Sequence, residues 1–329
     1  MRREINLPKH FVPRDTGRAA IRNNVPNVDN VSLLLQRFAP FTTSRNSNKL
    51  KPSIRHAFGR WRLNEQVRKA IKPYARHLGL YIDTVENAGK TFVMKTSSRL
   101  VIGLGDESVY ETSVRLLRNY GLPYIPGSVL KGIARAWAIE VLAETLRDRF
   151  EGDFFKAARK IEESLQKGER KDFSDEKPED PPEEWDELVN ALGLENATPR
   201  DVADGLIGLF GTTKEKGSVV FFDALPVPLE DIGEKIRELP RKLESGNGLI
   251  DVFDLDIMNP HYGPYYQNGE PPGDWYNPVP VFFLVVREGV PFVFGVGGKN
   301  AEVAENLLKL ALKHHGVGAK TSLGYGRFE

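Results

Sequence analysis

Apolar residues recur at helical spacing in three long stretches of the chain. Leu130, Ile133, Ala134, Trp137, Val141 and Leu142 share one face behind the start Pro126-Gly127-Ser128, with Ser128 as the cap signal. Val303, Ala304, Leu307, Leu308, Ala311 and Leu312 form a second such face, capped by Asn300 and ended at Gly316. In 61–78, Leu63, Val67, Ile71 and Leu78 lie near helical spacing, and Pro73 predicts an interruption. A short helix over Val31–Leu35 follows the cap signal of Asp29 and Asn30, between stretches that read as extended arms or loops.

Strand patterns fall between these helices. They cover 91–104, ending in a turn at Gly103 and Gly105, then Gly205–Phe210 and Ser218–Ala224 with GTTKEKG as a hairpin-like connection. VFFLVV and PFVFGV follow, joined by a turn at Arg287–Val290, and a short final strand closes the chain. Residues 259–280 are dense in Tyr, Pro and Gly, which predicts a long ordered loop. The order strand–helix–strand–strand–helix–strand predicts an α+β fold with a ferredoxin-like βαββαβ core. Residues 1–90 then form a basic N-terminal extension packed on or flanking that core, which occupies 91–329. An acidic insertion at about 147–200 is expected at the surface, partly helical and mobile over Lys171–Pro182.

Composition narrows the function. With 40% hydrophobic and 28% charged residues over 329 positions, the chain has enough apolar content for a real core. Cysteine is absent, which excludes disulfides, zinc–thiolate sites and thiol catalysis. No apolar run approaches the roughly 20 residues of a membrane helix, and the N-terminal residues lack a signal-type apolar segment, so a cytoplasmic location is expected. The net charge of +1 hides a segregation. Residues 1–80 hold 17 Lys/Arg against 4 Asp/Glu, whereas 140–204 hold 10 against 20. The basic block points to a polyanion, and nucleic acid is the first candidate; a solvated face is the alternative. Arg55, Arg60 and Arg62, in the run KPSIRHAFGRWR, are its most clustered cations.

Two loops carry candidate chemistry. At Pro126-Gly127-Ser128 a helix start offers free amides to an anion, with Lys131 and Arg135 one turn apart. A lysine in the first turn opposes the helix dipole unless an anion binds there; otherwise it merely extends into solvent. The second loop is Gly316-Val317-Gly318-Ala319-Lys320-Thr321-Ser322-Leu323-Gly324-Tyr325-Gly326-Arg327. Its glycines allow close approach of backbone amides to phosphate, and its Lys, Thr and Ser add donors, or else they serve a tight turn. It is not a nucleotide P-loop: Ala319 replaces the glycine before lysine, the loop follows a helix, and too little chain remains.

Catalytic groups are harder to find. His314 and His315 suit a helix end, His56 lacks a readable partner, and Asp106-Glu107 is either a magnesium site or a solvated turn. His261, Tyr262, Tyr265 and Tyr266 either stack on bases or pack within their loop.

LPYIPGSVLKGIARAWA, LFGTTKEKGSVVFFDA and GVGAKTSLGYGRF, in this order, resemble the repeat-associated mysterious protein (RAMP) superfamily of CRISPR systems. The stretch NPHYGPYYQ is similar to a subunit of the type III-B Cmr effector complex. The resemblance implies an RNA-recognition-motif-like fold that holds guide RNA and its paired target RNA beside other Cmr subunits, especially the repeated backbone subunit and the small subunit. It implies RNA contacts at Gly127, Ser128 and Lys131, and at Gly316, Gly318, Lys320, Thr321, Ser322, Gly324, Gly326 and Arg327. Arg135, Tyr325, Arg55, Arg60 and Arg62 join them as neighbouring candidates. No catalytic residue, metal or cofactor is expected. A guide-processing RAMP endoribonuclease and a phosphate-binding metabolic enzyme are the alternatives.

Overall fold

The computed structural model describes residues 21–22, 25–26, 30–36, 39, 41–44, 47–58, 65–260, 263–273 and 275–329. Two antiparallel ladders, β1 (Ile21–Arg22) with β2 (Val25–Pro26) and β3 (Phe41–Ser44) with β4 (Ser47–Pro52), accompany the short helices α1 (Val31–Gln36) and α2 (Ile54–Phe58). Asn30 caps α1, its Oδ1 accepting from the Ser32 amide at 2.8 Å. The two stretches read as arms or loops therefore each contain an antiparallel ladder.

Helix α3 (Glu65–Ala88) runs straight through Pro73 and ten residues beyond the expected end. Pro73 is exposed, whereas Ile71, Tyr74, Ala75, Leu78, Ile82 and Val85 are buried, so core packing on the opposite face outweighs the lost helical hydrogen bond. It leads into β5 (Gly89–Lys95), which ends well before residue 104. A small ladder, β6 (Leu116–Leu117) with β7 (Leu122–Pro123), precedes α4 (Gly127–Thr145), whose predicted apolar face is buried throughout.

The acidic segment holds α5 (Phe154–Lys167) and α6 (Glu184–Ala191), and leads to α7 (Pro199–Phe210). It is part of the core and not a surface insertion. Ala157, Ile161, Leu165, Trp185 and Leu188 are buried there, and Phe173 pins the stretch expected to be mobile. Its carboxylates lie on the outer faces, several of them paired, as in Arg170–Asp204 and Arg200–Asp175. Gly205–Phe210 is the end of α7 and not a strand. Thr198 and Asp201 form a reciprocal capping box with Pro199 in the first turn, a helix start that a six-residue apolar run cannot reveal.

The main sheet is built from β5, β8 (Val219–Phe221), β9 (Leu225–Pro226) and β12 (Pro291–Gly298). β12 is central, antiparallel to β5 on one side and to β8 and β9 on the other. The last residues add to the outer side of β5, where Lys95 and Glu329 exchange backbone hydrogen bonds and Thr96 bridges Phe328. Helix α8 (Leu239–Ser245) packs on α3. β10 (Phe253–Met258) and β11 (Val281–Val286) form a separate hairpin whose tip carries α9 (Gly263–Asn268). β11 and β12, although consecutive, belong to different sheets.

One face of the main sheet carries Phe92, Phe292 and Phe294 and is covered by α4 and α10 (Ala301–His314), with Phe328 edge-on to Phe292 and Phe294 at 5.8 and 5.4 Å. The opposite face is covered by α3: a Cβ on Gly295 would press against Val85 and Tyr81, which the glycine prevents. Both faces are thus occupied. The fold is α+β, with helices on either side of an antiparallel sheet.

Candidate nucleic-acid interface

Helix α10 ends as expected at Gly316, which has φ +78° and whose amide returns to the Ala311 carbonyl at 2.9 Å. The following loop is tied to the segment after β5. Ala319 N–H donates to the Val101 carbonyl at 2.8 Å, and Gly326 N–H donates to the Arg99 carbonyl at 2.9 Å. A Cβ at Gly318 would collide with the Val101 carbonyl, and one at Gly326 with the Val317 carbonyl. These two glycines therefore serve close packing of the protein on itself. Thr321–Leu323 form a 3₁₀ turn at the apex, where Ser322, Leu323 and Gly324 are exposed, and a Cβ at Gly324 would meet open space. The apex is the part of the loop whose backbone is open to solvent.

Its side chains are anchored from below. The Lys320 ammonium lies 5.4 Å from the centre of the buried Phe283 ring, a cation–π contact. Tyr325 Oη donates to Asp256 at 2.7 Å, and Arg99 Nη1 donates to the same carboxylate at 2.9 Å. Burial opposes ionisation of Asp256, but hydrogen bonds from Tyr325, the Ile257 amide and Arg99 outweigh it and hold the carboxyl below its ordinary range. The same arrangement raises Tyr325, first through burial and then through Asp256. The Arg327 guanidinium donates to the His314 carbonyl, closing the loop on the helix that starts it.

The first loop is organised by an internal anion. Gly127 N–H donates to Asp223 Oδ1 at 2.7 Å, so the helix start already faces a carboxylate where a phosphate was expected. Pro126, not Ser128, is the N-cap; the exposed Ser128 makes no cap bond. Lys131 is half-buried, and its ammonium caps the C-terminal carbonyl of α7 at Phe210, 3.1 Å away, so the helix dipole it opposes is offset by a carbonyl of the protein itself. Arg135 pairs with Glu162 at 3.0 Å.

β5 and β8 both run antiparallel to β12, but β8 ends opposite Val296, level with Lys90 at the start of β5, whereas β5 ends at Lys95 opposite Pro291. The glycine-rich loop packs on the chain leaving β5, and the α4 start packs on the chain leaving β8. The two loops therefore lie at different levels of the sheet: the α4 start is beside Phe221, opposite Val296, and the glycine-rich loop is beyond Lys95, opposite Pro291, an offset of roughly 15 Å along β12. Arg55 lies 5.5 Å from the centre of the Phe282 ring. Phe282 packs with α1 and α2, while Phe283 packs under the glycine-rich loop, so Arg55 and Lys320 flank opposite faces of β11. Arg60, Arg62, His261 and Tyr262 lie outside the described residues, as does the His56 side chain.

Asp106 is held bidentately by Arg115, 2.7 Å from Oδ1, so it is a loop brace and not part of a magnesium site. His314 and His315 reach Glu187 at 2.8 Å and Glu140 at 3.0 Å, linking α10 to α6 and α4. Among the described residues no group of three or more His, Asp or Glu side chains is placed to hold a metal, and no helix is long and apolar enough to cross a membrane. Sequence reading missed Asp223 and Asp256, because each meets its partner across a long stretch of chain with no local signal.

Comparison with known proteins extends this geometry. The family model of the RAMP superfamily matches residues 93–329. The CRISPR system Cmr subunit Cmr6 of Pyrococcus furiosus is 46% identical over 290 residues, covering 85% of this chain and 79% of its own. The crystal structure of Cmr6 from Pyrococcus furiosus superposes with a TM-score of 0.50 at 48% identity, covering 73% of this chain and 97% of that one. The type III-B Cmr-beta complex bound to cognate target RNA matches at 19% identity with a TM-score of 0.42, covering 80% and 64%, a likeness too low to carry a conclusion. On the family match and this identity, the chain belongs to the RAMP superfamily.

Proposed function

We propose that this chain is a non-cleaving, RNA-holding subunit of a type III-B CRISPR effector, built on a ferredoxin-like core. The observation that carries the role is its 46% identity, over 85% of its length, to a Cmr subunit. The core reading is supported by the strand order: the C-terminal residues, β5, β12 and β8 lie side by side, with α4 and α10 as the two crossovers. Within the complex the chain holds the 3′ part of the guide RNA and its target duplex at the end of the backbone filament, against the repeated backbone subunit and the small subunit.

The geometry favours a particular way of holding RNA. RNA-recognition modules stack bases on an open sheet face, and here α3 covers that face. Contact falls instead to the loops beside the sheet, above all the glycine-rich loop. The apex Lys320–Gly324 offers backbone and hydroxyl donors, and the basic N-terminal block supplies long-range attraction. Arg55 over Phe282 and the exposed Ser128 at the start of α4 are further proposed contacts, with Lys131 and Arg135 behind that helix start, and Arg60 and Arg62, outside the described residues, are proposed from the sequence alone. Such a site grips backbone and shape, as a holder of arbitrary guide sequences must.

The purified chain is tested with single-stranded and guide-paired RNA, with and without divalent metal. Binding at low salt with both RNAs left intact is expected. Cleavage abolished by His56→Ala would establish the endoribonuclease reading instead, and failure both to bind RNA and to enter the complex would overturn the proposal.

A further inference from the structure

The tip of the β10–β11 hairpin presents aromatic rings to solvent: Tyr266 and Trp275 are 78% and 76% exposed, and Tyr265 45%. Val279, in the same loop, and Ile257, on β10, are also exposed. Large rings set this far out are the residues that dominate the centres of protein interfaces. They are held by an ordered scaffold. Val279 N–H closes the loop on the Pro260 carbonyl at 3.1 Å, and Tyr276 Oη donates to Glu270 at 2.9 Å. Six prolines between 260 and 280 stiffen it further.

Two occupants suit exposed aromatics, namely nucleic-acid bases and another protein. Charge separates them. Single-strand binders combine stacking rings with a positively charged groove along the backbone. Residues 243–286 contain no Lys or Arg and six Asp or Glu. On the hairpin, Arg99 is already paired with Asp254 and Asp256. Arg55 over Phe282 and Lys320 over Phe283 likewise pack on the body of the hairpin, so phosphates at the tip would meet aromatic rings whose own stretch, 259–280, supplies no Lys or Arg.

We infer that this hairpin tip is a protein-docking surface whose partner is a protein face bearing lysines or arginines around an apolar contact. Cationic side chains gain both from the aromatic faces and from the carboxylates nearby. The glycine-rich loop packs on the body of the hairpin through Lys320 and Phe283 and through Tyr325 and Asp256, so RNA at the loop apex and protein at the hairpin tip are engaged by neighbouring surfaces. The inference rests on the proposed role as a complex subunit, since it assigns that subunit a contact surface.

The test reconstitutes the full chain with the remaining Cmr subunits and guide RNA, and measures RNA affinity of the isolated chain in parallel. Tyr266→Ala with Trp275→Ala is expected to weaken incorporation at least about tenfold, with unchanged RNA affinity and melting temperature. Tyr266→Lys discriminates by sign: it should also weaken incorporation, because it sets like charge against a basic partner. Raised RNA affinity with normal incorporation for Tyr266→Lys would make the tip an RNA platform and overturn the inference. Normal incorporation of the double variant would overturn it equally. A wild-type chain that neither binds RNA nor incorporates would instead refute the underlying role, an outcome distinct from either.

Discussion

Lys320 occupies a conformation that L-residues avoid, with φ +64° at the entry to the apex of the glycine-rich loop. A left-handed residue with a side chain costs about 1–2 kcal/mol, so the ammonium over Phe283 is kept at the expense of backbone ease. Lys320→Gly relieves the backbone and Lys320→Ala does not, while both remove the charge. In urea denaturation the glycine variant should be the more stable by about 1 kcal/mol, and RNA affinity should fall alike in both. Equal stability of the two variants would refute the strain. Asp256 gives a pH signature. Its carboxyl is held below the ordinary range, so its stabilising effect is complete above about pH 4 and is lost as pH falls through the folded value. Asp256→Asn should cost about 1–2 kcal/mol at pH 7 and progressively less towards pH 2–3, read as converging urea midpoints. A constant difference across that range would show that the carboxylate charge is immaterial.

Elements whose apolar face is long were legible from the sequence, and those decided by distant partners were not. The faces of α4 and α10 and the Gly316 stop follow from spacing alone. Gly205–Phe210 looked like a strand because six apolar residues do not reveal a period, and α3 looked broken because Pro73 is visible where Tyr74 and Leu78 in the core are not. At the site, the glycines announced a special loop, but the carboxylates that organise it come from β10 and from the chain after β8. Phe328 shows how a two-residue element can matter. It is buried against Phe292 and Phe294, and its amide donates to the Leu312 carbonyl. Phe328→Ala should cost about 3–5 kcal/mol, measured by thermal or urea unfolding. A loss below 1 kcal/mol would mean the last strand is ornamental.

Along the whole chain, opposite charges are segregated: the basic block precedes residue 81, and the acidic segment packs its apolar side into the core while showing carboxylates outside. Association with single-stranded RNA should therefore weaken steeply with salt, with a log–log slope of roughly −0.7 for each phosphate neutralised. Filter-binding titrations with unrelated sequences of equal length should superpose, and a salt-insensitive affinity would contradict the electrostatic picture. The placement of β12 has a consequence for synthesis. This central strand occupies 291–298, whereas its partners β5 and β8 are complete by residues 95 and 221. At about 5–20 residues per second, a ribosome needs roughly 10–40 s to pass from β5 to β12. Until then the nascent chain carries both flanking strands without the one that joins them. The sheet closes only when translation is almost finished, so a chain released by a stalled ribosome before residue 291 lacks the strand at its centre.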